Sequence, residues 1–200
     1  MAMRARQGLV GIRSGAMRLE GRTAIVTGAA SGFGEGIARA FAAEGAAVLL
    51  ADIADASTIA SEIADAGGAA QFVRADVSSD ADVERMVAIA QELGGLDVLV
   101  NNAGVPQRFQ PLWEMEEGLY DRIYDVNVKS IFLTARHVVP LLIEQGGGCI
   151  INTSSTAAQR PRPGLTWYNS SKGAVHTMTK SMAVELGPHN IRVNSICPVI

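Results

Sequence analysis

The sequence lacks most of the features that mark disulfide-rich and metal-binding proteins. It contains only two cysteines, Cys149 and Cys197, and no Cys-x-x-Cys pair, which argues against a disulfide scaffold and a structural zinc site. Its three histidines lie far apart in the chain, without the spacing of metal ligands. This cysteine usage is typical of a reducing compartment, so we expect a cytoplasmic protein without a bound metal.

Positive charge and long apolar runs are also scarce. The chain carries 17 Lys and Arg against 20 Asp and Glu, and its net charge of -3 gives no electrostatic basis for binding nucleic acid. There is no run of about 18 apolar residues, so the sequence predicts no membrane-spanning helix. Hydrophobic residues make up 48% of the 200 residues, which is enough for one globular domain with a sizeable core.

The first 16 residues differ from the rest of the chain. They contain three arginines and no acidic residue, whereas a well-patterned domain begins at Met17. Their apolar stretch is shorter than the core of a signal peptide. We interpret residues 1–16 as a disordered tail or an over-extended start, with an organellar presequence as the alternative. Residues 17–200 are interpreted as one domain.

Short apolar runs alternate with helical patterns from residue 23 onward. Strands are predicted at 23–26, 47–50, 71–74, 96–100, 149–153 and 191–196. Helices are predicted at 34–44, 57–66, 79–93, 116–145 and 168–186, and the fourth stretch is long enough for two helices or one bent helix. Continuous apolar strands separated by helices predict an α/β fold: a doubly wound parallel sheet, the Rossmann fold, with helices on both faces.

A glycine-rich turn follows the first predicted strand. It reads TGAASGFG from Thr27 to Gly34, with glycines at 28, 32 and 34. Without Cβ atoms these residues let the backbone approach a pyrophosphate, and the start of the next helix presents free N–H groups to the anion. The spacing is G-x-x-x-G-x-G rather than the commoner G-x-G-x-x-G. A tight strand-to-helix turn without a ligand is the alternative.

Asp52 ends the second predicted strand. A carboxylate at this position can accept hydrogen bonds from the ribose hydroxyls of an adenosine, and it repels a 2′-phosphate. No cation among Ala29, Ala30, Ser31 and Ile53 offsets that repulsion, so the sequence predicts NAD rather than NADP as cofactor. A solvated or helix-capping aspartate is the alternative.

With these features the chain resembles the short-chain dehydrogenase/reductase family from Met17 to about Pro198. TGAASGFG is similar to the family's TGxxxGxG cofactor turn, and Asn101–Gly104 reads NNAG, a second family motif. The resemblance implies that Asp76 and Val77 contact the adenine. It implies the following cofactor-binding residues: Thr27, Gly28, Ser31, Gly32, Phe33, Gly34, Asp52, Asp76, Val77, Asn102, Ala103, Gly104, Tyr168, Lys172 and Pro198.

The resemblance also implies a catalytic tetrad of Asn127, Ser155, Tyr168 and Lys172. Tyr168 and Lys172 are about one helical turn apart, so they share a face of the predicted helix. A neighbouring ammonium favours the phenolate of Tyr168, which can then exchange a proton with an alcohol or carbonyl oxygen. By resemblance, Lys172 holds the nicotinamide ribose, Ser155 holds the substrate oxygen and Asn127 binds a water that relays protons to Lys172. The choice of Ser155 over Ser154 rests on the resemblance.

The predicted function is therefore that of an NAD-dependent dehydrogenase or reductase, which moves a hydride between NAD(H) and an alcohol or carbonyl compound. Arg160 and Arg162 precede Tyr168 and suggest an anionic substrate such as a carboxylate or sulfonate, with a solvated loop as the alternative. The segments SGFG and GLTWY resemble family members that oxidise sulfonated benzyl alcohols. Glucose dehydrogenases and 3-oxoacyl carrier-protein reductases have similar segments, so a sugar or a 3-oxoacyl thioester is an alternative substrate.

Members of the family continue past the sixth strand with a substrate lid, a further helix and a seventh strand, whereas this sequence stops at Ile200. The resemblance therefore implies a sheet that lacks the usual final strand. A noncatalytic or inactive truncated NAD-binding module is the alternative function. The resemblance also implies a homodimer or homotetramer, paired through the long helical stretch at 116–145 and the helix that carries Tyr168.

Overall fold

The computed structural model describes residues 17–199, so the interpretation of residues 1–16 lies outside the described residues. Six strands are present: β1 (Thr23–Thr27), β2 (Ala47–Asp52), β3 (Ala69–Arg74), β4 (Val98–Asn101), β5 (Gly148–Thr153) and β6 (Ile191–Ile196). All neighbouring pairs are parallel, and they form one sheet in the order β3-β2-β1-β4-β5-β6. The helices are α1 (Gly32–Ala43), α2 (Ser57–Asp65), α3 (Asp80–Glu92), α4 (Glu117–Tyr124), α5 (Ser130–Glu144) and α6 (Thr166–Leu186). The predicted doubly wound α/β fold is confirmed.

The long stretch predicted at 116–145 consists of two helices. A π-helical turn, Asp125–Lys129, joins α4 to α5 without a break in the helical path. Turns of this kind are rare within helices and are frequent at functional sites, because the extra residue redirects the side chains around it. Asn127 lies in the middle of this turn and is buried.

The core lies on both faces of the sheet because successive strand residues point to opposite sides. On one face, Ile25 and Leu49 pack with apolar residues of α3, α5 and α6. On the other, Val26 and Leu50 pack with apolar residues of α1 and α2. The central strands β1, β2 and β4 are covered on both faces and are therefore apolar in their interiors, whereas the edge strands β3 and β6 carry exposed polar residues.

The helical stretch Glu117–Glu144 has the length and apolar composition of a membrane-spanning helix. Leu133, Val138 and Leu142 of this stretch are buried in the core against the sheet. A core helix of a globular domain meets the same criteria, so length and composition alone assign this stretch no membrane role.

The winding of the chain changes direction at β1, which pairs with β2 on one side and with β4 on the other. The loops that leave β1 and β4 therefore run in opposite directions and leave a crevice between them at the carboxyl edge of the sheet. In open α/β sheets, ligands bind in the crevice at such a point.

Candidate active site

The turn between β1 and α1 is packed tightly against the loop that follows β4. Gly28 has a φ of +66°, and a Cβ atom there would lie 2.8 Å from Ala103 Cα. A Cβ atom on Gly34 would overlap the Gly28 carbonyl oxygen and would lie 2.7 Å from Asn102 Nδ2. Gly32 has open space around it and a φ of +57°, so it supplies a backbone conformation rather than clearance. Side chains at 28 or 34 would push the two loops apart.

A cavity of ≈ 730 Å³ lies in the crevice at this edge of the sheet. Its walls come from the loops after β1, β2, β3 and β4 and from one side of α4. Ten of the predicted cofactor-binding residues line it: Gly28, Ser31, Gly32, Phe33, Asp52, Asp76, Val77, Asn102, Ala103 and Gly104. The volume is in the range of cavities that hold organic ligands and cofactors. The side chain of Ser31, the residue before α1, makes no capping hydrogen bond, which leaves first-turn N–H groups of α1 available to an anion.

A smaller cavity of ≈ 160 Å³ adjoins the first and shares Phe33, Asn102, Gly104 and Val105 with it. Its other lining residues include three of the predicted catalytic residues, together with a residue that follows β6: Ser155, Tyr168, Lys172 and Pro198. The structure therefore brings most of the predicted catalytic and cofactor-binding residues to one continuous cleft, whereas Thr27, Gly34 and Asn127 line neither cavity.

Thr27 has a supporting position rather than a place in the lining of either cavity. Its buried hydroxyl donates to the Val100 carbonyl at 3.2 Å and accepts from the N–H groups of Asn102 and Ala103 at 2.9 and 3.1 Å. Asn102 in turn donates through Nδ2 to the carbonyl oxygens of Thr27 and Gly28 at 2.9 and 3.3 Å. Together these hydrogen bonds hold the NNAG loop against the glycine turn.

Lys172 is the buried cation of the smaller cavity. Only 4% of the residue is exposed, and Nζ donates to the Thr153 carbonyl at 2.8 Å. Nζ lies 5.9 Å from the centre of the Tyr168 ring. Burial disfavours the ammonium and lowers the pKa of Lys172 to about 8. The predicted sharing of one helix face by Tyr168 and Lys172 therefore brings a buried amine next to a phenol.

The two serines after β5 have different partners. The hydroxyl of Ser154 is buried and donates to the Lys172 carbonyl at 3.0 Å, which fixes α6 to the end of β5. The hydroxyl of Ser155 accepts from the Ala157 N–H at 3.1 Å. A hydroxyl that accepts still has its own proton to donate, so Ser155 can offer a hydrogen bond to a ligand oxygen in the cavity.

The side-chain amide of Asn127 fixes the loop after β4 by hydrogen bonds. It is 2% exposed, and Oδ1 accepts from the Val105 N–H at 2.8 Å while Nδ2 donates to the Val105 carbonyl at 3.1 Å. Nδ2 also donates to Ser171 Oγ at 3.1 Å. A Cβ atom on Gly104 would lie 3.3 Å from Asn127 Oδ1 and 3.4 Å from Lys172 Nζ, so both side chains border this glycine. Water binding by Asn127 stays a prediction.

Asp52 and Asp76, which line the larger cavity, are held by backbone and hydroxyl donors. The Asp52 carboxylate accepts from the N–H groups of Ala30 and Ala54, both at 2.9 Å. The Asp76 carboxylate accepts from the N–H and the hydroxyl of Ser78 at 2.9 and 2.6 Å. These two carboxylates, fixed at the end of β2 and just after β3, give this part of the cleft a negative charge.

Charged residues of α4 and of the π-helical turn also line the larger cavity, and no sequence motif indicated them. They are Asp121 and Arg122 of α4 and Asp125 of the turn. Conversely, Arg160 and Arg162 line neither this cavity nor the smaller one. Arg162 borders a separate groove beside α6.

The buried amine makes the stability of the fold depend on pH. The pKa of Lys172 is about 8 in the folded chain and 10.5 in its ordinary state, so the unfolded chain binds more protons between these values. We therefore expect the free energy of unfolding to increase from pH 8 to 10.5, by about 3 kcal/mol from this group. Denaturant titrations at stepped pH, on the wild type and on Lys172→Met, test this. Parallel pH profiles for the two proteins would contradict the prediction.

Comparisons with known proteins extend these observations. A family model described as short chain dehydrogenase matches residues 22–200. The chain is 45% identical over 188 residues to 4-formylbenzenesulfonate dehydrogenase of Comamonas testosteroni, covering 92% of this chain and 74% of that protein. It is 42% identical over 186 residues to galactitol 2-dehydrogenase of Agrobacterium fabrum, covering 91% and 71%. Among solved structures it is similar to the 3-ketoacyl-(acyl-carrier-protein) reductase of Brucella melitensis in complex with NADH, with a TM-score of 0.86 and 45% identity over 90% of this chain and 76% of that one.

Proposed function

Because the chain belongs to the short-chain dehydrogenase family, we propose that it oxidises alcohols or reduces carbonyl compounds with NAD(H), and that Tyr168 is its general acid and base. The observation that carries the proposal is the buried Lys172 amine, 5.9 Å from the centre of the Tyr168 ring. This pair lines a cavity that continues into the cleft beside the glycine turn. A proton-transfer group thus adjoins a cleft that fits a dinucleotide.

The residues of the larger cavity fit NAD. Gly28 and Gly34 allow the glycine turn to pack against the loop after β4, and Gly32, with open space around it, lines the cavity and leaves room for a diphosphate. The start of α1 offers N–H donors to that diphosphate. Asp52 would accept from the adenosine ribose hydroxyls. When bound, the nicotinamide supplies or accepts the hydride.

The charge of the cleft supports NAD over NADP. Four of the residues that line it are acidic: Asp52, Asp76, Asp121 and Asp125. Arg122 is the one arginine or lysine in the described lining of this cavity. A 2′-phosphate adds about two negative charges, and an excess of carboxylates repels it. A relative of known structure was solved with NADH, which agrees with this choice.

The smaller cavity supplies the proton chemistry. In alcohol oxidation, the Tyr168 oxygen takes the hydroxyl proton of the substrate, and in carbonyl reduction it returns a proton to the substrate oxygen. Protonated Lys172 stabilises the phenolate by its charge, and the Thr153 carbonyl holds the lysine in place. Ser155 donates to the substrate oxygen, where negative charge develops.

The lining of the smaller cavity gives a guide to the substrate. Besides Lys172 it contains no cation among the described residues, and it is bounded by Phe33, Val105, Pro106 and Pro198. Since Arg160 and Arg162 lie outside this lining, an anionic substrate has no described partner there. We therefore expect a substrate in which only the reacting C–OH or C=O group is polar next to Tyr168.

A substrate panel tests the proposal. NADH formation or consumption is followed with a benzyl alcohol, its sulfonated analogue, a sugar alcohol and a 3-oxoacyl thioester, which cover the chemistry of the relatives. Turnover of at least one of them, faster on the uncharged benzyl alcohol than on its sulfonated form, is the expected result. Tight NADH binding without turnover of any compound would favour the noncatalytic alternative.

We further propose a homodimer or homotetramer that pairs through α5 and α6. Phe132 on α5 is 60% exposed and Val184 on α6 is 81% exposed, so both helices present large apolar side chains at the surface. Light scattering of the wild type and of Phe132→Glu tests the assembly, and an unchanged mass for the variant would argue against pairing through α5.

The cysteines Cys149 and Cys197 are both unpaired, in agreement with a reducing cytoplasm.

A further inference from the structure

The helix that carries Tyr168 begins without a capping side chain of its own. α6 starts at Thr166, and the preceding residue, Leu165, makes no side-chain capping hydrogen bond. The N–H groups of a first helical turn have no partner within the helix and need an acceptor from elsewhere. The Tyr168 N–H donates to Oε1 of Gln107 at 2.9 Å. The cap of α6 is thus supplied by the loop that follows β4.

Gln107 uses both ends of its amide. The residue is 8% exposed, and while Oε1 accepts from Tyr168, Nε2 donates to the Gly164 carbonyl at 3.1 Å. The Gln110 N–H donates to the same carbonyl at 3.1 Å. Gly164 has a φ of +73°, and a Cβ atom there would lie 2.5 Å from the Phe109 ring. The loop after β4 is therefore bound by hydrogen bonds both to the turn that precedes α6 and to the first turn of α6.

The same loop is also fixed two residues earlier. Val105, which lines the smaller cavity, has both backbone polar groups bound by the Asn127 amide. The hydrogen bonds between Asn127 and Val105 and between Tyr168 and Gln107 thus join the π-helical turn to the start of α6 through the loop after β4. Gln107 lies outside the glycine turn, the NNAG motif and the predicted tetrad.

We propose that Gln107 is a positioning residue for Tyr168: by capping α6 from the neighbouring loop, it sets the place of the phenol relative to Lys172 and Ser155. This inference rests on the proposed function, since the position of the phenol matters only if Tyr168 exchanges a proton with the substrate. Small displacements of a reacting group reduce the rate strongly, so the effect is expected in kcat rather than in cofactor binding.

Two substitutions at position 107 separate the parts of this role. Gln107→Met has a similar volume and removes both hydrogen bonds, whereas Gln107→Glu keeps an oxygen that can accept from the Tyr168 N–H. We expect Gln107→Met to lower kcat between about 10-fold and 100-fold, with less than about a twofold change in the Kd for NADH. On a logarithmic scale, the loss of kcat in Gln107→Glu should be at most about half the loss in Gln107→Met, because the glutamate oxygen can still accept from the Tyr168 N–H.

Gln145→Met is the matched control. Gln145 Oε1 accepts from the Leu96 N–H at 3.3 Å at the opposite edge of the sheet, so its loss also removes a side-chain acceptor from a backbone N–H. A lower Tm with an unchanged kcat is expected for this variant. Full kcat in Gln107→Met, or equal losses in Gln107→Met and Gln107→Glu, would overturn the assignment. If Gln107→Met does not fold, the kcat of Gln107→Glu decides: a loss greater than about 10-fold contradicts the role of the acceptor.

Hydrogen exchange separates this inference from the proposed function. If the wild type binds NADH but converts no alcohol, the proposed function fails, and the cap is still measured at the Tyr168 amide. Gln107→Met should accelerate exchange of that amide by about 10-fold or more, because its acceptor is gone, while Gln107→Glu should keep it protected. Unchanged protection in Gln107→Met would show that Gln107 does not cap α6.

Discussion

Replacing Tyr168 by phenylalanine is expected to reduce kcat by about 1,000-fold, because general acid–base catalysis contributes factors of this size. The substitution removes only the phenol oxygen. That oxygen has no hydrogen bond with the part of the chain that the structure describes, and the ring can keep its contact with Lys172. Turnover is measured by NADH absorbance on the best substrate of the panel, and the Kd for NADH should change by less than about twofold.

Tyr124→Phe provides the matched control for this experiment. The Tyr124 hydroxyl bonds with Ser170 Oγ at 2.8 Å, on a part of α4 that lines neither cavity. Its removal therefore costs a hydrogen bond without touching the proposed proton path, and kcat should stay close to that of the wild type. A Tyr168→Phe enzyme as active as Tyr124→Phe would remove the phenol from the mechanism.

The sheet could be predicted from the sequence because its signals are local. The central strands β1, β2 and β4 are buried on both faces and therefore have apolar interiors, and glycines or polar residues mark their ends. The edge strands β3 and β6 still show apolar positions, which alternate with exposed polar ones in β6. The stretch at 116–145 was harder, since its apolar pattern runs on without interruption. What separates α4 from α5 is the π-helical turn around Asn127, whose amide is tied to Val105. No local pattern records a hydrogen bond between residues so far apart in the chain.

The contrast between local patterns and long-range contacts also decides which parts of the candidate site could be predicted. The glycine turn and the pair of Tyr168 and Lys172 are short-range patterns, and the structure brings them to one cleft. The positions of the two serines after β5 could be read from the chain, but the partner of Ser154 could not. Ser155 accepts from the Ala157 N–H two residues away, whereas Ser154 donates to the Lys172 carbonyl, a contact that depends on how α6 packs on β5.

Closeness in sequence was a poor guide where a turn intervenes. Arg160 and Arg162 lie a few residues before Tyr168, but they line neither part of the cleft. Arg122 is far from the glycine turn in sequence and still lines the larger cavity, because α4 forms its outer wall.

A buried network of polar side chains could not be predicted either: Asn101 Nδ2 donates to Asn152 Oδ1 at 2.9 Å, and Asn152 Nδ2 donates to Thr179 Oγ1 at 3.0 Å. This network links β4, β5 and α6.

The negative charge of the larger cavity is expected to decide which of the two dinucleotides, NADH or NADPH, binds more tightly. We expect the wild type to bind NADH about 100-fold more tightly than NADPH, because a carboxylate close to a phosphate costs about 2 to 3 kcal/mol at the effective dielectric of a protein surface. Asp52→Asn keeps an oxygen that can accept from Ala30 or Ala54 and removes the charge, so this preference should shrink by about 10-fold or more.

Asp55→Asn is the control for this preference. Asp55 belongs to the same loop, its carboxylate accepts from the Ser57 N–H at 2.8 Å, and it does not line the cavity. Fluorescence titrations with NADH and NADPH on the three proteins give the two dissociation constants directly, without any need for a substrate. If Asp55→Asn narrows the preference as much as Asp52→Asn does, the effect comes from net charge and not from a carboxylate at the end of β2. Equal affinities for both dinucleotides in the wild type would contradict the predicted preference for NADH.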